Sequence, residues 1–164
     1  MTSAIENTII ADYTKALSNG NVVLESQLTE SCCSDAYGAQ YLKNIPKRII
    51  EANFGCGNPT KYVREGDVVL DLGSGAGLNC YVAAQIAGSN GAVFGIDINP
   101  SMLQIAREEA KAFQKATDSA PLRFYKASAS NLKIDQELAE ERLRTEPCAD
   151  WASWKNFEQF ISDS

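Results

Sequence analysis

Val68-Val69-Leu70-Asp71-Leu72-Gly73-Ser74-Gly75-Ala76-Gly77 is the stretch on which the reading of this chain turns. Its first half is a β-branched and apolar run, too continuous for a strand with one wet face, and it predicts a buried parallel strand. The glycines that follow directly predict a loop in which the backbone can approach a ligand closely. A helical segment then runs to about Ala87 and stops at the turn Gly88-Ser89-Asn90-Gly91. Ala92 to Ile98 reads as a second buried strand. Asn99 is a good N-cap and Pro100 a good first helical residue, and Leu103, Ala106, Ala110 and Phe113 share one helical face beyond them. Leu122 to Ala127 is a third strand. Strand, glycine loop, helix, strand, helix, strand is the pattern of an α/β chain with a parallel sheet and right-handed crossovers.

Upstream, Ile5, Ile9, Tyr13 and Ala16 fall on one face and predict a helix over 5–17 that Gly20-Asn21 would end. Residues 21–35 have no sustained period and read as a loop. Two short helices interrupted at Pro46 follow, and Gly55-Cys56-Gly57-Asn58-Pro59 must be irregular. Downstream, residues 134–144 and 150–161 both read as helices, the second with Trp151, Trp154, Phe157 and Ile161 on a stripe that we take as packing. The expected organisation is a helical N-terminal segment over 1–60, a β-α-β-α-β core over 61–133 and a helical extension over 134–164.

Composition narrows the function classes. With 164 residues, 45% hydrophobic and 22% charged, the chain can bury the core of one domain. A net charge of −6 and a pI near 4.7 argue against a nucleic-acid partner, because phosphate backbones attract Lys- and Arg-rich faces. The sequence lacks both a membrane-length apolar run and the basic and apolar start of a signal peptide, so no membrane association and a cytoplasmic location are expected. The five cysteines, Cys32, Cys33, Cys56, Cys80 and Cys148, contain no CxxC pair and read as reduced thiols. Cys80, on the helix after the glycine loop, reads as a small core residue. With no histidine in the chain, Cys/His zinc sites, Ser-His-Asp triads and histidine general bases are excluded.

A glycine loop alone is a weak signal. Here it sits between a strand and a helix, and Asp97 ends the second strand about 20 residues further on, where a carboxylate can accept both hydroxyls of a ribose. A dinucleotide fingerprint would be G-x-G-x-x-G, whereas this chain places Leu78 where the last glycine belongs. D-L-G-S-G-A-G over 71–77 resembles instead motif I of the class I S-adenosylmethionine-dependent methyltransferases. The resemblance implies a Rossmann-like class I methyltransferase fold with S-adenosylmethionine as cofactor. It implies cofactor contacts from Asp71, Gly73, Ser74, Gly75 and Gly77, and from Asp97 with Ile98 beside it as the ribose-binding segment. In the third strand such enzymes commonly carry an acidic residue for the adenine amino group, and the matching position here is Ser128, followed by Ala129.

Three upstream segments narrow the resemblance: L-T-E-S-C-C at 28–33, I-P-K-R-I-I-E-A at 45–52 and F-G-C-G-N-P at 54–59 are similar to arsenite methyltransferases. That similarity implies Cys32, Cys33 and Cys56 as candidate arsenic-binding thiols, with arsenite or a small molecule as methyl acceptor. Thiolate sulfur suits a soft, thiophilic centre. Further arsenic-binding cysteines that the family carries after its third strand have no counterpart here. The fold is therefore expected to be incomplete, with three parallel strands in the order 3-2-1, as in a truncated, weakly active or inactive form. The unpaired edge of the first strand would need cover from a homodimer, another partner or the Trp-bearing C-terminal helix. The alternatives are a non-catalytic S-adenosylmethionine-binding module and a fragment of an NAD-dependent oxidoreductase.

Overall fold

The computed structural model describes residues 4–18, 37–55, 57–129, 132, 136–148 and 151–163. Their helices are α1 (Ala4–Ser18), α2 (Ala39–Leu42), α3 (Lys47–Glu51), α4 (Leu78–Ala87), α5 (Pro100–Ala116), α6 (Gln136–Thr145) and α7 (Trp151–Asp163). A 3-10 turn spans Pro59–Tyr62, and the strands are β1 (Val68–Leu72), β2 (Ala92–Asp97) and β3 (Leu122–Lys126). The strands form one parallel sheet in the order β1-β2-β3, with Val69 opposite Val93 and Gly95 opposite Phe124. The expected parallel sheet of three strands, with the second strand between the other two, is what the described residues adopt.

Local chemistry sets the element boundaries. Gly77 enters α4 in the left-handed region at φ 93°, and a Cβ there would lie 2.8 Å from the Phe124 ring. Only glycine meets both demands without strain. Asn99 caps α5 by accepting from the backbone N–H groups of Ser101 and Met102, and Pro100 occupies the first turn, where its missing N–H costs nothing.

One face of the sheet holds the core. Val93, Leu122 and Phe124 are buried beneath α4 and α5, where the Tyr81 ring stacks on Phe124 at 6.1 Å and meets Phe113 edge-on at 4.7 Å. Arg107 of α5 donates through Nε and Nη2 to the Phe124 carbonyl and pairs with Glu137, tying α6 to the sheet. Cys80 is fully buried in this core, as its position in the helix predicts.

The opposite face differs from expectation. The run Val68–Leu72 predicts burial on both sides, yet Val68, Leu70 and Leu72 are 73%, 52% and 49% exposed. Helices cover only one side of the sheet at β1 among the described residues, and an apolar pattern does not specify which layer supplies the second cover. β1 is an edge strand, and α7 leaves these side chains open. In α7, Phe157 is buried, as the packing stripe predicts. No described helix is long and apolar enough to cross a membrane.

The N-terminal segment packs onto the carboxyl ends of the strands. α1 reaches them through Asn99 Nδ2 on the Ile10 carbonyl and Ser128 Oγ on Glu6 Oε1, while its Tyr13 meets Phe54 edge-on at 5.4 Å. Arg48 of α3 pairs with Glu108 of α5, and Gln85 of α4 donates to the Tyr41 carbonyl.

Candidate functional site

Parallel strands bring the segments that follow them to one edge of the sheet, where α/β proteins bind their ligands. Here the glycine loop follows β1, Ile98 and Asn99 follow β2, and Ala127–Ala129 follow β3. Together with α1 and residues 52–55 they enclose a cavity of about 520 Å³, within the range that takes a cofactor-sized ligand.

The loop is fastened to β2. Gly73 and Ser74 donate their backbone N–H groups to the Ile96 carbonyl at 2.8 and 3.0 Å, and Gly77 donates to the Ser74 carbonyl at 2.8 Å. Gly75 N donates to Asp97 Oδ2 at 2.8 Å, and Asn99 N donates to Asp97 Oδ1 at 2.7 Å. Asp97 thus organises the loop and the turn after β2 at once. A carboxylate has about four acceptor positions, so these two bonds leave it able to accept from a ligand.

Of the residues singled out from sequence, Gly73, Ser74, Gly75, Gly77, Asp97, Ile98, Ser128 and Ala129 all line this cavity. Asp71 does not. Its side chain lies on the α4 side, where it accepts from the Cys80 thiol at 3.3 Å and lines a second cavity of about 90 Å³ with Asn79 and Cys80. Burial raises the Asp71 carboxyl above its usual range, the Cys80 hydrogen bond opposes the rise, and the charge of Asp97 adds to it. Cys32, Cys33 and Cys56 fall outside the described residues, among which no cluster of three potential metal-ligating side chains occurs.

Sequence reading missed several wall residues: Glu6 and Tyr13 from α1, Asn53 and Phe54 after α3, Asn79 at the start of α4, and Met102. Asn79 was the accessible one, since it sits two residues past the loop on the first turn of α4. Its Oδ1 accepts from the Tyr37 hydroxyl at 2.8 Å. Nothing local marks Glu6, whose partner Ser128 lies 122 positions away.

Electrostatically the cavity has one sign. Glu6 and Asp97 are the charged residues on its wall, and no lysine or arginine lines it among the described residues.

The general methyltransferase-domain model matches residues 64–142, which carry the whole sheet, the glycine loop and Asp97. This part of the chain is a methyltransferase domain. Its relatives include the arsenite methyltransferase of Halobacterium salinarum, 38% identical over 54% of this chain and 26% of that protein. The arsenite methyltransferase of Aquipseudomonas alcaligenes is 33% identical over 57% of this chain and 27% of its own length. A crystal structure of an arsenic(III) S-adenosylmethionine methyltransferase from Chlamydomonas reinhardtii aligns with a TM-score of 0.52 and 35% identity, over 54% of this chain and 31% of that one. The methyltransferase domain is thus related to the arsenite methyltransferases, and the chain spans about a quarter of the length of these two curated relatives.

S-adenosylmethionine is the cofactor of this class of domain, and the cavity suits it on chemical grounds. The ligand's ribose hydroxyls and adenine amino group are hydrogen-bond donors, and the wall offers the acceptor carboxylates of Asp97 and Glu6. The buried Ser74 Oγ has no hydrogen-bond partner among the described residues, so the loop retains polar capacity.

Proposed function

We propose that the methyltransferase domain binds S-adenosylmethionine in the cavity at the strand ends and presents its methyl group to a soft, thiolate-bound acceptor, of which arsenite is the leading candidate. The observation that carries the cofactor half is convergence: Gly73, Ser74, Gly75, Gly77, Asp97, Ile98, Ser128 and Ala129 all line one cavity at the strand ends. Asp97 would hold the ribose hydroxyls while Gly73–Gly77 let the backbone approach the methionine side. When bound, S-adenosylmethionine supplies a methyl group already activated by its sulfonium sulfur. The protein is left to align the acceptor with the methyl carbon and to keep water away, and α1 with residues 52–55 forms the wall that would do so.

The arsenite half rests on the similarity to arsenite methyltransferases and on the thiols at Cys32, Cys33 and Cys56. A non-catalytic binding module would share the cofactor cavity and differ in giving no S-adenosylhomocysteine when arsenite and a thiol are supplied. A dinucleotide site fits less well. Four N–H groups of the loop are already bonded within the protein, and among the described residues no lysine or arginine lines the cavity to meet a pyrophosphate.

Thermal unfolding with each ligand tests the reading. S-adenosylmethionine at about 100 times its Kd should stabilise the chain by about 2.7 kcal/mol, while NAD at equal concentration should leave Tm unchanged. Stabilisation by NAD and not by S-adenosylmethionine would reject the reading. For the acceptor, release of S-adenosylhomocysteine that depends on arsenite and falls in Cys32→Ser would support the arsenite assignment. Release that is indifferent to arsenite would count against it.

A further inference from the structure

The β3 end of the cavity contains a carboxylate that does not come from β3. Ser128, 7% exposed in the segment after the strand, donates its hydroxyl hydrogen to Glu6 Oε1 at 2.9 Å, across 122 positions of sequence. Glu6 belongs to α1, which is held at the same edge by Asn99 Nδ2 on the Ile10 carbonyl and by the Tyr13–Phe54 contact. Both Glu6 and Ser128 line the cavity.

The order of the strands gives this pair a position along a bound ligand. β2 lies between β1 and β3, so Asp97 stands between the glycine loop on one side and Ala127–Ala129 on the other. On the S-adenosylmethionine reading, on which this inference rests, a ribose on Asp97 with its methionine side over the loop directs the base towards β3. There Ile98 and Ala127 offer apolar surface for a ring face, and Glu6 with Ser128 offers a polar edge. An adenine presents an exocyclic amino group with two N–H donors, and a carboxylate is an acceptor on every lone pair. The Ser128 hydroxyl has one hydrogen, which is directed at Glu6.

We propose that Glu6 is the specificity-determining residue for the amino edge of the purine, with Ser128 as the positioning residue that fixes its carboxylate. Recognition of the base is then tied to the docking of α1, because the accepting group travels with that helix. A purine with a carbonyl oxygen in place of the amino group would place acceptor against acceptor and be rejected.

Calorimetric binding of S-adenosylhomocysteine and its 6-oxo counterpart, S-inosylhomocysteine, tests this without turnover. The unaltered chain should prefer the adenosyl compound by at least about tenfold, the value of one hydrogen bond to a charged group. In Glu6→Gln the side-chain amide can donate to a carbonyl oxygen as well as accept from an amino group, so the two affinities should come within about threefold. Glu6→Ala should lose the preference and weaken the adenosyl compound, with circular dichroism confirming an intact fold. An unchanged preference in both variants overturns the proposal, as does a preference that survives Glu6→Gln and collapses in Ser128→Ala. If the unaltered chain binds neither compound, the cofactor reading itself fails and this inference falls with it.

Discussion

Replacing Gly77 by alanine should destabilise the chain by about 2–5 kcal/mol, and the structure separates the figure into two parts. The residue sits at φ 93°, where an L side chain costs about 1–2 kcal/mol. The added Cβ would also stand 2.8 Å from Cε1 and Cζ of Phe124. That ring cannot easily retreat, being 6% exposed and stacked on Tyr81, which is itself wedged against Phe113. Overpacking of this kind costs about 1–3 kcal/mol. Gly73→Ala is the internal control: its φ of 79° imposes the same backbone penalty, but a Cβ there meets none of the described residues within 4 Å. Urea unfolding of the two variants should therefore show both midpoints lowered at unchanged slope, with the unfolding free energy of Gly77→Ala smaller by about a further 1–3 kcal/mol. Equal destabilisation of the two variants would refute the claim that Gly77 exists to admit Phe124.

Two further predictions concern the Asp71–Cys80 pair beneath the loop. The Asp71 carboxyl is raised above 3.8, chiefly by burial, so the folded chain holds this proton more tightly than the unfolded one. The stability its protonated form contributes is complete below pH 3.8 and is lost as pH rises through the folded value. Asp71→Asn, neutral throughout, should accordingly gain stability relative to the parent between acid and neutral pH and show no such gain below 3.8. A difference in unfolding free energy that is flat with pH would contradict this. The Cys80 thiol is pushed well up by burial and then by the charge of Asp71, so alkylation at pH 8 should spare it in the folded chain and reach it in urea. Rapid labelling of Cys80 in the native chain, mapped by peptide mass, would overturn its assignment to the core.

Much of the fold was legible because its signals are local. The apolar runs at 68–72, 92–97 and 122–126, the Asn99-Pro100 helix start and the glycine loop each declare themselves within a few residues. Eight of the nine cofactor residues taken from the sequence line one cavity, because each lies in or just after a strand of a parallel sheet. The rest was set by contacts that a local pattern does not encode. Asp71 and Gly73 are near neighbours, but strand alternation turns the Asp71 side chain towards Cys80 and α4 and away from the large cavity. Glu6 enters the site through a helix packed from the far end of the chain, and its own surroundings in sequence carry no hint of that. The exposure of Val68, Leu70 and Leu72 was misread for a related reason: an apolar run records the need for cover and is silent about what provides it. Gly95 shows the converse, since a Cβ there would lie 2.5 Å from Phe124, a packing requirement invisible in the run from Ala92 to Asp97.

On the proposed function, the cavity between the glycine loop and α1 is the S-adenosylmethionine site, with Asp97 as its anchor. Titration calorimetry of the chain with S-adenosylmethionine, repeated on Asp97→Ala with the fold checked by circular dichroism, tests it most directly. The carboxylate bonds both ribose hydroxyls on this account, and two hydrogen bonds to a charged group imply a loss of affinity of at least about 100-fold. Saturable binding that falls by that factor in Asp97→Ala is the predicted result. Binding of equal strength in the two proteins would contradict the account and place the cofactor elsewhere.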